Sequence, residues 1–160
     1  MLYSFAGGND GQWPWAGVIL DKLGNLYGTT WVGGGTGCGG NGCGTVFKLA
    51  PDGSETLLHS FNSSDGEGVW GGVILDARGN LYGTTFVGDY GEGTVYELTP
   101  SGGVWTETVL HSFNSFDGSD DGAYPHGSLL LKGGIPYGTT QAGGPYSQGA
   151  AFGLNPRKRK

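Results

Sequence analysis

The chain has few charged residues, and basic residues are the scarcer kind. Of its 160 residues, 8 are Lys or Arg and 14 are Asp or Glu, which gives a formal net charge of −6 at pH 7. We therefore expect no nucleic-acid partner, because such binding needs a basic surface. The single basic cluster, residues 157–160 (RKRK), is interpreted as a solvated tail, with a nucleic-acid or sorting role as the alternative.

Long apolar runs and helical periodicity are also missing. No stretch reaches the ~18 apolar residues that a membrane-spanning helix needs. No charged segment followed by an apolar core marks a signal peptide. Apolar residues do not recur at helical spacing, and the frequent glycines would break a helix. The sequence therefore predicts an all-β protein with no membrane span.

Glycine, in contrast, is abundant. The chain has 36 glycines in 160 residues, whereas the usual share is ~7%. They do not fall at every third residue, which excludes a collagen-like chain. Instead they recur at equivalent places between segments rich in Val, Leu, Tyr, Phe and Thr. This pattern is typical of short strands joined by tight turns.

A Tyr-Gly-Thr-Thr motif occurs three times and defines a repeat. It begins at Tyr27, Tyr82 and Tyr137, which are spaced 55 residues apart. A fixed period of this size indicates a repeat architecture. Each repeat predicts a four-stranded antiparallel meander, but the third repeat stops one strand short. The missing strand is found at the other end of the chain, since residues 2–5 (LYSF) match residues 58–61 and 110–113 (both LHSF).

Four strands in a unit of ~50 residues are typical of a β-propeller blade. We predict one domain over residues 1–156, with units at 6–61, 62–113 and 114–154 and with strand 2–5 completing the third blade. Three blades fall below the usual range of about 4–8. Two chains could therefore form a six-bladed homodimer, the chain could be a fragment of a longer propeller, or the fold could be a β-trefoil or β-prism monomer.

The spaced elements of the repeat resemble the GloVer tandem repeat. In the first copy they are Ser4-Phe5, Asp10-Gly11, Pro14, residues 24–30 (GNLYGTT), Gly34-Gly35 and residues 44–49 (GTVFKL). The second copy has Val69 in place of the proline, and the third departs at residues 135–136 and 149–152. The family is known from bacterial proteins that often carry a cell-surface anchor, and it has no established reaction. The resemblance thus implies an exported, propeller-like protein of the extracellular space or cell surface.

The loops between the units place aromatic residues at equivalent positions. Flat rings stack on the C–H faces of sugars while carboxylates accept hydrogen bonds from hydroxyls, so we expect a carbohydrate or cell-surface ligand. The predicted binding residues are Trp13, Trp15, Trp31, Trp70, Phe86, Tyr124, His126, Asp10, Asp65 and Asp121. The alternative is structural: the rings pack between units, and each Asp-Gly pair is a turn.

Other chemistry is weaker. Asp65 and Glu67 are candidates for the carboxylate pair of a glycoside hydrolase, which is the alternative function. A surface array without a small ligand is the third hypothesis. Asp117, Asp120 and Asp121 alternate with glycine and serine and are calcium candidates, although their spacing is not that of an EF-hand. No other cofactor or metal is expected.

The two cysteines, Cys38 and Cys43, flank a glycine-rich stretch in the long loop of the first unit. We expect a disulfide if the protein is exported, with free thiols as the alternative. His59 and His111 occupy equivalent strand positions, and Tyr3, in the strand predicted to complete the third unit, occupies the third such position. This exchange favours packing over metal binding, whereas His126 stands outside the pattern.

Overall fold

The chain folds almost entirely into short antiparallel strands. The structure, a computed structural model, describes residues 1–88, 91–115 and 121–155. The strands are β1 (Ile19–Leu20), β2 (Leu26–Thr30), β3 (Thr45–Leu49), β4 (Glu55–Ser60), β5 (Ile74–Leu75), β6 (Leu81–Thr85), β7 (Thr94–Ser101), β8 (Val104–Ser112), β9 (Gly122–Pro125), β10 (Leu130–Lys132), β11 (Ile135–Gly143) and β12 (Ala151–Gly153). A 3-10 turn (Gly8–Asp10) and a short helical turn, α1 (Gly37–Gly40), lie in loops. Within these residues, no helix is long and apolar enough to cross a membrane.

Each repeat forms its own sheet, which we call a blade. Blade 1 has the strand order β1-β2-β3-β4 and blade 2 the order β5-β6-β7-β8, so both are simple meanders. Blade 3 has the order β10-β11-β12, and β9 pairs with the distal end of β11. In blade 3, β9 and β10 thus share the edge of β11 that faces away from β12. The predicted all-β, blade-built architecture is confirmed.

Two boundaries differ from the sequence prediction. The repeat pattern predicts first strands over residues 17–21 and 72–76, but β1 and β5 have only two residues each. It also predicts a turn over residues 100–103, whereas the pairing of β7 with β8 continues through Pro100 and Trp105 to Ser101 and Val104. The turn is therefore confined to Gly102 and Gly103, whose φ values of 59° and 86° suit a tight two-residue hairpin.

The glycine of each Tyr-Gly-Thr-Thr motif lies beneath a ring from the third strand of its blade. A Cβ atom at Gly83 would be 2.3 Å from the Tyr96 hydroxyl oxygen, closer than packed atoms allow. In the equivalent pairs, a Cβ atom at Gly28 would lie 2.5 Å from the Phe47 ring, and one at Gly138 would lie 2.6 Å from the Phe152 ring. The motif is therefore a packing requirement repeated in every blade.

Aromatic rings at the end of each fourth strand join consecutive blades. Phe61, directly after β4, lies 4.9 Å from Tyr96 of blade 2 between ring centroids. Phe113, directly after β8, lies 5.1 Å from Phe152 of blade 3. Phe5 makes the same kind of contact with blade 1, since its centroid lies 4.9 Å from that of Phe47.

Residues 2–5 do not form a strand within a single chain. They pack on blade 1, and blade 2 separates blade 1 from blade 3. The Thr29 hydroxyl donates to the Gly71 carbonyl across the first junction (3.0 Å), and the Gly72 amide donates to the Ser128 hydroxyl across the second (3.0 Å). Residues 2–5 therefore do not complete blade 3 of their own chain, and completion by a second copy stays a prediction.

Replacing Gly83 by alanine should destabilise the fold. The added methyl group would overlap Tyr96, which is fully buried, and overpacking of this kind costs about 1–3 kcal/mol. Urea unfolding measures the difference. Gly127→Ala is the matched control, because a Cβ there meets no atom within 4 Å among the described residues. Equal losses of stability in the two variants would contradict this account.

Candidate functional site

Seven ring-bearing residues from all three blades form one connected group, which we call the aromatic surface. Its members are Trp13, Trp15, Trp31, Trp70, Phe86, Tyr124 and His126. Trp70 is central, with ring centroids 4.5 Å from Trp15 and 4.7 Å from His126. The structure therefore brings together every aromatic residue and the histidine that the sequence proposed for ligand binding.

Backbone pairing between two kinds of loop creates this surface. The loop that enters each blade runs beside the residue that follows the Thr-Thr pair. The Trp31 amide donates to the Trp13 carbonyl (3.1 Å), and the Phe86 amide donates to the Gly68 carbonyl (2.9 Å). Residues far apart in sequence but at fixed repeat positions are thus held next to each other.

Trp13 and Tyr124 have a backbone conformation that favours glycine. Their φ values are 59° and 58°, and the equivalent residue of blade 2 is Gly68, with φ of 70°. A non-glycine residue in this region costs on the order of 1 kcal/mol. Blades 1 and 3 thus place a large ring where glycine would be less strained. Strain of this kind is concentrated at functional sites.

The aromatic surface has both a structural and an open part. Trp31, Trp70 and Phe86 are half-buried and contact rings of a neighbouring blade. Trp13 and Trp15, in contrast, are 51% and 56% exposed. The rings therefore contribute to the blade junctions, as the structural alternative holds, and still present accessible faces to a ligand.

The three aspartates of the predicted site are hydrogen-bonded at the blade junctions. Each carboxylate contacts a side chain from the fourth-strand position before it: Asp10 with the Tyr3 hydroxyl (2.6 Å), Asp65 with His59 Nε2 (3.2 Å) and Asp121 with His111 Nε2 (2.9 Å). Asp65 also accepts hydrogen bonds from the backbone and side-chain amides of Asn62. Tyr3, His59 and His111 can thus occupy equivalent positions because each contacts the aspartate of the loop that follows it. The sequence analysis did not predict these contacts.

The glycine of each Asp-Gly pair has its own packing role. A Cβ atom at Gly66 would lie 2.3 Å from Thr85, the last residue of the Tyr-Gly-Thr-Thr motif. The equivalent approaches are Gly11 to Thr30 (2.6 Å) and Gly122 to Thr140 (2.5 Å). In each Asp-Gly pair, the carboxylate therefore contacts the preceding strand, and the glycine leaves room for the last threonine of the Tyr-Gly-Thr-Thr motif.

The remaining candidates are placed as follows. Glu67 forms a backbone bridge with Val87, and its amide donates to the Val87 carbonyl at 2.8 Å. Its catalytic pairing with Asp65 stays a prediction. Asp117 and Asp120 lie outside the described residues. Within the described part of the chain, no group of three or more His, Cys, Asp or Glu residues could hold a metal ion.

Cys38 and Cys43 are joined by a disulfide, with Cα atoms 5.3 Å apart. Cys43 is fully buried, and its carbonyl accepts a hydrogen bond from the Gly68 amide of the next loop (2.9 Å). The bond therefore fixes the long loop of blade 1 directly beside the aromatic surface.

A groove of about 730 Å³ lies between blades 2 and 3, among their short turns. Tyr82 lines it and donates to Glu97 (2.7 Å), while Asp76 accepts the backbone amides of Arg78 and Asn80. The sequence analysis did not predict this groove, because its walls come from two repeats and no periodicity encodes their separation.

Burial raises the pKa of Glu107 to about 7, an effect that His59 opposes and Asp65 reinforces. Glu107 lies in β8, and its Oε1 atom is buried without a hydrogen-bond partner among the described residues. The ionised form of the Glu107 carboxylate is therefore unfavourable in the folded protein.

We expect Glu107→Gln to stabilise the protein at alkaline pH. The pKa rises from 4.5 to about 7 on folding, so ionisation opposes folding increasingly above pH 4.5 and fully above pH 7. Thermal unfolding should show equal stability near pH 4 and a gain on the order of 1 kcal/mol at pH 8, since Glu107 is partly exposed.

Asp52→Asn is the control of opposite sign. Hydrogen bonds from Ser54 lower the pKa of Asp52, so its carboxylate favours folding above its unfolded-state pKa, and the variant should lose stability at pH 8. A Glu107→Gln gain that is the same at pH 4 and pH 8 would refute the proposed ionisation effect.

The geometry defines a blade-repeat protein with a ring-lined loop face, and the family comparison agrees. The chain belongs to the Gloeobacter/Verrucomicrobia repeat family, whose model matches residues 1–152. This confirms the resemblance found in the sequence. A search of curated proteins gives no match.

A solved X-ray structure of a protein described as a candidate gluconolactonase is similar in fold. The TM-score is 0.52 at 21% sequence identity, and the match covers 87% of this chain and 47% of that one. The chain thus spans about half the length of this neighbour. At such identity the likeness shows the fold alone, and it favours a propeller over a β-trefoil or a β-prism.

Proposed function

We propose that the protein binds a carbohydrate through the aromatic surface. The observation that carries this proposal is that Trp13 and Tyr124 occupy backbone positions that favour glycine. Both lie on the surface that also holds the exposed ring of Trp15. A fold that needed these loops only for packing would be relieved of strain by glycine, as at Gly68. A ligand that uses the rings gives a reason for the strain.

The composition of the surface indicates the class of ligand. Tryptophan rings dominate in blades 1 and 2 and offer flat faces to apolar C–H groups of a sugar ring. In blade 3 the equivalent positions hold His126 and Gln141, both exposed, which can hydrogen-bond to hydroxyl groups. The net charge of −6 disfavours an acidic polysaccharide. A neutral glycan fits this distribution of rings and polar groups best.

We also propose an extracellular or cell-surface location and, separately from sugar binding, the assembly of two copies. The disulfide between Cys38 and Cys43 supports an oxidising compartment. A location outside the cell would also bring the aromatic surface into contact with polysaccharides.

Trp15→Ala should lower the affinity for a neutral polysaccharide on the order of tenfold, because it removes an exposed anchoring ring. Affinity electrophoresis against a panel of neutral polysaccharides identifies a binder, and calorimetry with an oligosaccharide from it measures the change. Tyr146→Ala is the matched control, since Tyr146 is 87% exposed but lies outside the aromatic surface. Equal affinities of the Trp15 variant and the wild type would overturn the proposal.

The hydrolase hypothesis has a separate outcome in the same experiment. Release of reducing sugar from a polysaccharide, abolished in Glu67→Gln, would replace binding by hydrolysis as the function. No binding and no release with any glycan would favour the structural array.

A further inference from the structure

We propose that residues 2–5 of one chain form the fourth strand of blade 3 in a second copy, so that two copies close a six-bladed ring by mutual strand exchange. The inference rests on the two-copy assembly proposed above and is independent of sugar binding. It is argued from the blade junctions within one chain, which the new junction would continue.

Residues 2–5 already make the contacts that a fourth strand makes with the blade that follows it. The Tyr3 hydroxyl binds Asp10 (2.6 Å) in the way that His59 binds Asp65. The Phe5 ring packs on Phe47 at 4.9 Å, as Phe61 and Phe113 pack on blades 2 and 3. The segment is therefore held in position as the outer strand of a blade that precedes blade 1.

The exposure of Leu2 shows that half of this junction is missing. Leu2 is equivalent to Leu58 and Leu110 in the repeat. Leu58 is 8% exposed and belongs to the core, and Leu110 packs against the core of blades 2 and 3. Leu2, however, is 71% exposed. A core position of the repeat is thus left in solvent, and burial of this apolar side chain favours association.

The complementary edge belongs to β12. The amide and carbonyl groups of Ala150 both face Thr140 of β11. Because these groups alternate along a strand, those of Ala151 point to the opposite edge. The equivalent residues Val46 and Val95 pair there with a fourth strand. In the part of the chain that the structure describes, Ala151 has no such partner.

The repeat fixes the register of the exchange. Val46 pairs with His59, and the Phe61 amide donates to the Gly44 carbonyl at 2.9 Å. By the same register, Ala151 would pair with Tyr3 of the partner subunit. Gly149, which is equivalent to Gly44, would accept from the amide of Phe5 of the partner subunit.

The exchange would also extend the aromatic surface. Within one chain, Trp15 contacts Trp70 of the next blade, and Trp70 contacts His126 of the blade after it. The third junction would place His126 beside Trp15 of the partner subunit. The six-bladed assembly would then have one continuous band of aromatic side chains around its loop face.

Sedimentation velocity across a dilution series tests the assembly. The wild-type protein should have twice the 16.5 kDa mass of one chain. Leu2→Asp should be monomeric, because the charge would occupy a buried junction position. Leu23→Asp is the matched control, since Leu23 is 82% exposed on the turn between β1 and β2, and it should remain dimeric.

Ala151→Pro tests the other half of the junction. Proline removes an amide that points away from β11, so blade 3 keeps its internal pairing while the outer edge can no longer bind a strand. The variant should be monomeric. A monomeric wild type, a dimeric Leu2→Asp or Ala151→Pro variant, or a wild-type assembly of any other size would overturn the proposal.

The outcome is separable from that of the sugar-binding experiment. Trp70→Ala alters the middle of the aromatic surface and leaves residues 2–5 and β12 intact, so it should weaken polysaccharide binding without changing the mass. A monomeric wild type that still binds polysaccharide would refute strand exchange alone.

Discussion

The junction between a fourth strand and the next blade is the contact on which this architecture depends. It combines an aromatic ring, a Tyr or His donor and an aspartate, as in Phe61, His59 and Asp65. Among the described residues, the buried hydrophobic side chains cluster between blades: one cluster spans blades 1 and 2, and a second spans blades 2 and 3. The largest buried cluster includes Val46 of blade 1 and Leu98 of blade 2. Blade formation and blade stacking are therefore parts of one packing problem.

The sequence predicted the local architecture well. The Tyr-Gly-Thr-Thr motif and the alternation around it identified the second strand of each blade, because a strand and its tight turns are encoded in adjacent residues. The aromatic surface was also predicted, since residues at the same repeat position lie at the same height of every blade.

Contacts between repeats were less accessible to prediction. The pairing of His111 with Asp121 depends on how two blades pack, and neither residue type identifies it alone. The long hairpin of blade 2 was missed because Pro100 was interpreted as the start of a turn, whereas the strand pairing continues past it. The contact between Asp65 and His59 was not predicted for the same reason, and a role of Asp65 in ligand binding stays a prediction.

The loop that follows the second strand is anchored differently in blades 1 and 2, although its backbone makes the same contact. Cys43 and Glu92 occupy equivalent positions and are buried. The Cys43 carbonyl accepts a hydrogen bond from the Gly68 amide (2.9 Å), and the Glu92 carbonyl accepts one from the Tyr124 amide (2.8 Å). In blade 1 a disulfide secures the loop, and in blade 2 the Glu92 carboxylate binds Ser115. The loop between the second and third strands can therefore differ in length from blade to blade. Its penultimate residue still makes the same contact with the next blade, so the rings of the aromatic surface keep their spacing.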